Sequence, residues 1–409
     1  MKTLLIGLSF LLITLSNSVY PQWCQQKSGT YSNLYSIFSI DGETAWTCGA
    51  DGIILKTTNC GTSWMSKYSG TNLSLSFIKF FDNYNGITLG SGGTILKSSD
   101  GGETWCNVFS GTTIRFQEAS FINSQVGWAV GDFGIVLKTT DGGESWSTLC
   151  YATDDNFDFV NFINQDLGWA TTERNGEIWK TSDGGLSWQL KYNTPDNIKL
   201  WQIQFVDEDN GWASGEKSTL LRTIDGGETW KPQKIGYENV SIRTINFRNE
   251  RDGWIAGKHP ALFRTTNGGV GWSEAERITN SELLYIFFFN DKIGWTIGTK
   301  GTIFFTNNNG GPLPMKLENF SVIIEDNTVS IFWQTSSELN NKGFEIQRKK
   351  DEGNWYDLAF VNGAGTNQQL KSYKYLDNLN LPGTYHYRLK QVSTDGKVTF
   401  FDEVKIIFE

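Results

Sequence analysis

Four aspartates stand at one place in a recurring eight-residue phrase, Ser/Thr-x-Asp-x-Gly-x-Ser/Thr-Trp: Asp100, Asp141, Asp183 and Asp225. Two further copies carry Asn59 and Asn267 there. A carboxylate at a tight turn can ligate a cation or move a proton. Repetition argues against both here, because the same turn of successive units cannot converge on one site. These residues are expected to accept backbone N–H bonds just ahead of them, with Gly supplying φ > 0 and the Trp capping the hairpin. Other reactive groups are sparse. The 409 residues include only two histidines, His259 and His386, and neither is flanked by a nucleophile elbow. His386 alternates with Tyr385 and Tyr387 and is expected to face solvent. HExxH, paired CxxC, Walker and dinucleotide-binding glycine motifs are absent. Asp154, Asp155 and Asp158 could hold Ca²⁺, although a solvated acidic loop is the expectation. No catalytic residue, metal ligand or cofactor is assigned.

The elements that carry these residues come from a repeat. The closing tryptophans Trp64, Trp105, Trp146, Trp188, Trp230 and Trp272 are spaced 41, 41, 42, 42 and 42 residues apart. Such a period marks a repeat architecture, and near 40 it fits helical pairs or four-stranded propeller blades. Runs such as Ile53–Thr58 and Thr94–Lys97 are β-branched, and Gly pairs and Asp-Gly steps interrupt them, so the units read as strands and turns. With 44 Gly and 7 Pro, the composition suits many tight turns.

A seventh copy begins at Gly294-Trp-Thr-Ile-Gly298 and continues through Gly301–Thr306 and Asn309-Gly-Gly311, but Leu313 stands where a closing Trp belongs. The missing piece lies at the other end, where Trp23 precedes Trp64 by 41 residues. Splitting one repeat between the chain ends makes sense for a closed ring, which leaves no exposed strand edge. The fold expected is all-β: a seven-bladed β-propeller over residues 22–311, latched by an N-terminal strand that becomes the outermost strand of the last blade.

Within a unit the innermost strand precedes the Gly-Trp strand. Counting back from the Gly-Trp position gives core alternation at Ile37, Ile78, Ala119, Val160, Ile203, Ile245 and Ile286 and again two residues on. Eleven residues before that position stand Tyr35, Ser76, Gln117, Asp158, Trp201, Arg243 and Leu284, which differ in every unit. Loops on the same face add Asp132, Glu173, Arg174, Lys217, Lys258 and Lys300. The candidate ligand-binding residues are therefore Trp201, Arg243, Lys217, Lys258 and Lys300. An aromatic with clustered cations suits an acidic peptide segment or an anionic glycan.

The repeated phrase resembles the Asp-box, or bacterial neuraminidase repeat. With Gly127-Trp-Ala-Val-Gly131 and Lys138-Thr-Thr-Asp-Gly-Gly143 added, the chain is similar to the photosystem II assembly and stability factor family of seven-bladed propellers. That resemblance implies a non-catalytic scaffold that binds assembly intermediates. Sialidases and xyloglucanases share the Asp-box, so a glycoside hydrolase or carbohydrate-binding protein is the alternative. A sialidase-like site would need an arginine triad, and the first two units contain no Arg. Xyloglucanases use two propellers around a cleft, and here there is one.

Beyond the repeat, residues 312–315 read as a linker and 316–409 as a β-sandwich, from alternating runs such as Val329–Trp333, Phe344–Arg348 and Tyr385–Leu389. Leu381-Pro-Gly-Thr-Tyr385 resembles the tyrosine corner of a fibronectin type III domain, with Trp333 as its core Trp. The string Trp333–Ile346 with Tyr387–Gln391 is similar to a module of secreted Bacteroidota proteins, where a sorting domain usually comes next; none is recognised before Glu409.

Residues 1–18 combine Met1-Lys2 with the apolar run Leu4–Leu15 and small residues at Ser16-Asn-Ser18, which is the pattern of a signal peptide. The expected location is secreted or periplasmic, with no transmembrane segment in the mature chain, as a monomer. The net charge of −9 disfavours nucleic acid. Five cysteines (Cys24, Cys48, Cys60, Cys106 and Cys150) make an odd set; no pairing is assigned, and buried thiols are expected.

Overall fold

The computed structural model describes residues 23–258, 262–274, 278–309, 316–325, 327–367, 370–394, 396 and 398–408. The expected signal peptide (1–18), the linker (312–315), Gly310, Gly311 and His259 lie outside the described residues.

Short β-branched and aromatic runs broken by glycine turns give the described residues their strands. Four strands make the first sheet in chain order: Leu34–Ser39, Ala45–Gly49, Ile54–Thr57 and Met65–Lys67. Among the described residues seven such four-stranded antiparallel sheets follow one another. The last is built from Leu283–Phe288, Gly294–Gly298 and Ile303–Thr306, and its fourth strand is Cys24–Gln26 from the start of the chain. Cys24 pairs with Phe305 and Gln26 with Ile303. Inner strands lie side by side, and Leu283–Phe288 lies against Leu34–Ser39, so the series returns on itself. This is a β-propeller.

Aromatic side chains join the sheets. Trp46 stacks on Phe80 of the next sheet at 3.6 Å, Trp128 on Phe162 at 3.8 Å and Trp169 on Phe205 at 3.6 Å. The closing Trp of that next sheet meets the same Phe edge-on, as Trp105 does Phe80 at 5.8 Å. The inward Trp also donates its indole N–H across the gap, Trp46 to the Gly101 carbonyl at 2.9 Å and Trp128 to Gly184 at 2.7 Å. Trp23 fills the closing position of the last sheet. It is 2 % exposed and sits edge-on to Trp254 and Phe288, both at 5.8 Å.

The repeated aspartates are satisfied within their own turns. Asp141 accepts the Ser145 N–H (3.0 Å) and the Ser145 and Thr139 hydroxyls (2.5 and 2.8 Å), and Thr139 accepts the Gly143 N–H at 2.8 Å. The Thr104 hydroxyl and N–H hold the Asp100 carboxyl down to about 2, and Thr229 does the same for Asp225.

The C-terminal region is organised by one long strand, Thr328–Lys350. Its first part pairs with Lys316–Glu325 and Lys371–Asn378, its second with Tyr356–Asn367 and Gly383–Ser393. Between the two parts the buried Glu338 carboxylate accepts bonds from Thr335, Asn341, the Ala364 N–H and Tyr373. Trp333 is fully buried and stacks on Tyr373 at 5.3 Å, and the Tyr385 hydroxyl donates to the Leu381 carbonyl at 2.7 Å. Buried thiols are found at Cys48 but not at Cys24 or Cys106, which are exposed because each begins an outer strand with a solvent face. His386 does not stand open to solvent: its Nδ1 lies 3.1 Å from Glu403 and its side chain is 15 % exposed.

Candidate functional site

The core positions expected at Ile37 and its equivalents, and again two residues on, are buried in every inner strand, but the alternation breaks one step earlier. In Leu34–Ser39 the buried residues are Leu34, Ser36, Ile37 and Ser39, because the strand carries a bulge at Tyr35. The same register shift recurs at Ser76, Gln117, Asp158, Trp201, Arg243 and Leu284. A bulge leaves one residue outside the ladder and re-aims its side chain. Here all seven such residues line a single cavity of 340 Å³, together with Ser74, Arg115, Glu118 and Tyr285 among others. Side chains tie the inner strands beneath it. Gln202 accepts the Ile245 N–H at 2.6 Å, and Thr244 accepts that of Ile286 at 3.1 Å.

Trp201 and Arg243 are brought together, the guanidinium carbon 3.7 Å from the ring centroid. Lys199 approaches the same ring at 5.4 Å. The Trp201 indole N–H is buried and has no hydrogen-bond partner among the described residues. Each arginine of the cavity already has a rim carboxylate: Arg243 Nε lies 2.6 Å from Glu282 and Arg115 Nε 3.4 Å from Asp132. Burial lifts the Asp158 carboxyl to about 7, and Glu173 adds to the rise while Arg243, Arg115 and Lys199 oppose it. Burial also pushes Glu118 well above the usual carboxylate range. Glu118 folds back to accept the Ala119 N–H at 3.0 Å. Both carboxyls therefore hold their protons more tightly than an ordinary side-chain acid. The two guanidinium groups are thus matched at the rim by Glu282 and Asp132.

Lys217, Lys258 and Lys300 do not line this cavity; they are exposed at the turns that follow the Gly-Trp strands. The acidic loop separates. Asp155 is buried, accepts the Arg174 and Asn175 N–H groups at 3.0 and 2.8 Å, and organises its loop instead of being solvated. Asp158 turns into the cavity. Among the described residues no three His, Cys, Asp or Glu side chains gather as a metal site. Sequence reasoning missed Arg115, Ser74, Lys199 and Glu282. Counting back thirteen residues from the Gly-Trp position, instead of eleven, reaches all four.

The cavity offers an aromatic face, two guanidinium groups, an unpaired indole donor and one carboxyl that titrates near neutrality. Such a set suits recognition of polar and apolar parts of a ligand. Its carboxyls are Asp158 and Glu118, the latter accepting the Ala119 N–H.

The family model for photosynthesis system II assembly factor YCF48 matches residues 63–195 and 191–281. No curated protein matches the chain. Among solved structures, YCF48 bound to D1 peptide is 19% identical with a TM-score of 0.62, over 70% of this chain and 96% of that one. YCF48 from Cyanidioschyzon merolae is 18% identical with a TM-score of 0.60, over 70% and 98%. The extracellular domain of a one-component system from B. thetaiotaomicron is 12% identical with a TM-score of 0.55, over 95% of this chain and 59% of that one. At these identities the likeness is one of fold.

Proposed function

This chain belongs to the photosynthesis system II assembly factor YCF48 family, and from that premise we propose that it is a non-catalytic scaffold that binds a protein partner through its propeller. The observation that carries the reading is the ring of bulged residues, which differ in every sheet and meet at one cavity while the positions beside them stay core-like. Variation gathered at a mouth, on a rigid frame, is what a recognition surface needs. A family member solved with a bound peptide supports a polypeptide as ligand.

The finer reading takes the seven sheets as the blades of one propeller over residues 22–311, with the recurring turns as structural Asp-boxes. A fibronectin type III-like sandwich follows over 316–409. The tyrosine-corner bond of Tyr385 supports the sandwich. Residues 1–18 act as a signal peptide for a secreted or periplasmic monomer. Trp201 and Arg243 contact the partner within the cavity. Lys217, Lys258 and Lys300 act at the surrounding turns and favour an acidic segment. A glycoside hydrolase or carbohydrate-binding protein is the alternative reading, and the peptide-bound family member favours the protein partner.

The test uses the full chain as bait in envelope extract. The captured partner is purified and titrated against the wild type, Trp201→Ala and Leu284→Trp, which narrows the mouth. At least a tenfold loss of affinity in both variants is expected. Equal affinity of all three proteins would remove the cavity from the binding surface.

A further inference from the structure

Five aromatic side chains on consecutive sheets stand out in solvent. Tyr31 is 92 %, Tyr68 86 %, Phe109 85 %, Phe133 58 % and Tyr151 59 % exposed. Tyr31, Tyr68 and Phe109 lie in loops of the cavity side, Phe133 in a turn there, and Tyr151 at the end of the strand Ser147–Tyr151. The turn Ser91–Gly93 bonds to Ser74, and both serines line the cavity. Equivalent turns pack against the loops in question: Gly301 against Ser28 and Thr30, Gly52 against Ser69 and Thr71, Gly93 against Ser110 and Thr112, and Gly134 against Thr153. Tyr31 follows Thr30, Tyr68 and Phe109 stand just before Ser69 and Ser110, Tyr151 stands two residues before Thr153, and Phe133 is the tip of the turn Asp132–Gly134.

Phe133 also holds φ +58, the left-handed region that a bulky side chain adopts at a cost. The corresponding tips elsewhere are Asp51, Gly92 and Lys300. Burial cannot account for an aromatic in that place, because most of its surface faces solvent. Exposed rigid aromatics on one side of a frame suit an interaction surface, because they supply contact area at low entropic cost. Farther round the ring, exposed turn residues are cationic at Lys217 and Lys258, and Lys300 stands beside the Tyr31 loop.

We propose that these five side chains form a docking arc for an extended polypeptide segment, apolar where it crosses the first three sheets and acidic where it reaches Lys217 and Lys258. The inference rests on the protein-binding reading above and names the chemistry of its partner. Charge complementarity with Lys217 and Lys258 selects the acidic end.

The probe is a phage-displayed library of random dodecapeptides, selected on the immobilised full chain. Selected peptides are synthesised and titrated by fluorescence anisotropy against the wild type, Phe109→Ser, Phe133→Gly and Trp201→Ala. Peptides with aromatic or branched aliphatic residues followed by Asp or Glu are expected, losing at least tenfold in affinity for Phe109→Ser and for Phe133→Gly. Gly adopts positive φ freely, so Phe133→Gly should melt at the same or a higher temperature while it loses binding. A lower melting temperature for Phe133→Gly would make Phe133 a packing residue and overturn the arc. Peptides that fail on Trp201→Ala yet bind both Phe variants fully also overturn it, and leave the protein-binding reading standing. Phe109-dependent binding of phosphatidylglycerol vesicles or oligosaccharides, with no peptide selected, would overturn both.

Discussion

Asp158→Asn should make the stability of this protein less dependent on pH, and the structure sets both sign and size. The Asp158 carboxyl is lifted to about 7 in the folded chain, mainly by burial, from an ordinary 3.8. A raised carboxyl pKa means that the folded state binds the proton more tightly than the unfolded state. Stability therefore falls as pH rises from about 4 through about 7, and the full cost is present above that window. A shift of roughly three units corresponds to a ceiling of about 4 kcal/mol, of which roughly 3 kcal/mol develops between pH 5 and pH 8. Asp158 keeps part of its surface open to the cavity, so water there reduces the cost; about 1–3 kcal/mol over this interval is expected. Asn has the same shape and does not ionise. The assay is urea unfolding of both proteins at pH 5, 6, 7 and 8, with the difference between the two curves as the readout. That difference should favour Asn progressively as pH rises. A constant difference across the range, or one that favours Asp at pH 8, would refute the assignment of Asp158 as a buried carboxyl facing the cavity.

Trp23→Ala should cost about 3–5 kcal/mol, the range for large buried aromatics, since Trp23 closes the last sheet against Trp254 and Phe288; an unchanged melting temperature would remove ring closure as its role. Asp141→Ala should cost roughly 0.5–2 kcal/mol, as for lost capping bonds, with partner affinity unaltered; calorimetry beside the titration checks both halves. The Asp100 and Asp225 carboxyls are held at about 2, so the stability they confer is present above pH 4 and is lost as pH falls toward 2. Removing both as Asn should therefore flatten the acid limb of the unfolding curve. Lys258→Glu combined with Lys300→Glu should weaken an acidic partner at least tenfold at low salt and much less at high salt; a salt-independent effect would point to a structural change instead.

Much of the architecture was legible in the chain itself. The 41- and 42-residue spacing of tryptophans, the glycine turns and the Trp23 remnant are local or periodic signals, and they pointed to propeller sheets closed by the first strand. The aspartate turns were legible for the same reason, because their hydrogen bonds run between residues four apart. Counting in register even reached the seven mouth residues. What counting could not supply was the bulge that turns those residues inward, since a ladder shift depends on how a strand pairs with its neighbour. Nor could it group Arg115 with Asp158 and Arg243, or separate Asp155 from Asp158, or show that Lys217, Lys258 and Lys300 stand away from the cavity wall. Those outcomes depend on side-chain direction and on burial among residues some 40 positions apart. Only the closed ring of sheets brings them within reach of one another, and only that enclosure removes the water that would otherwise keep Asp158 an ordinary acid.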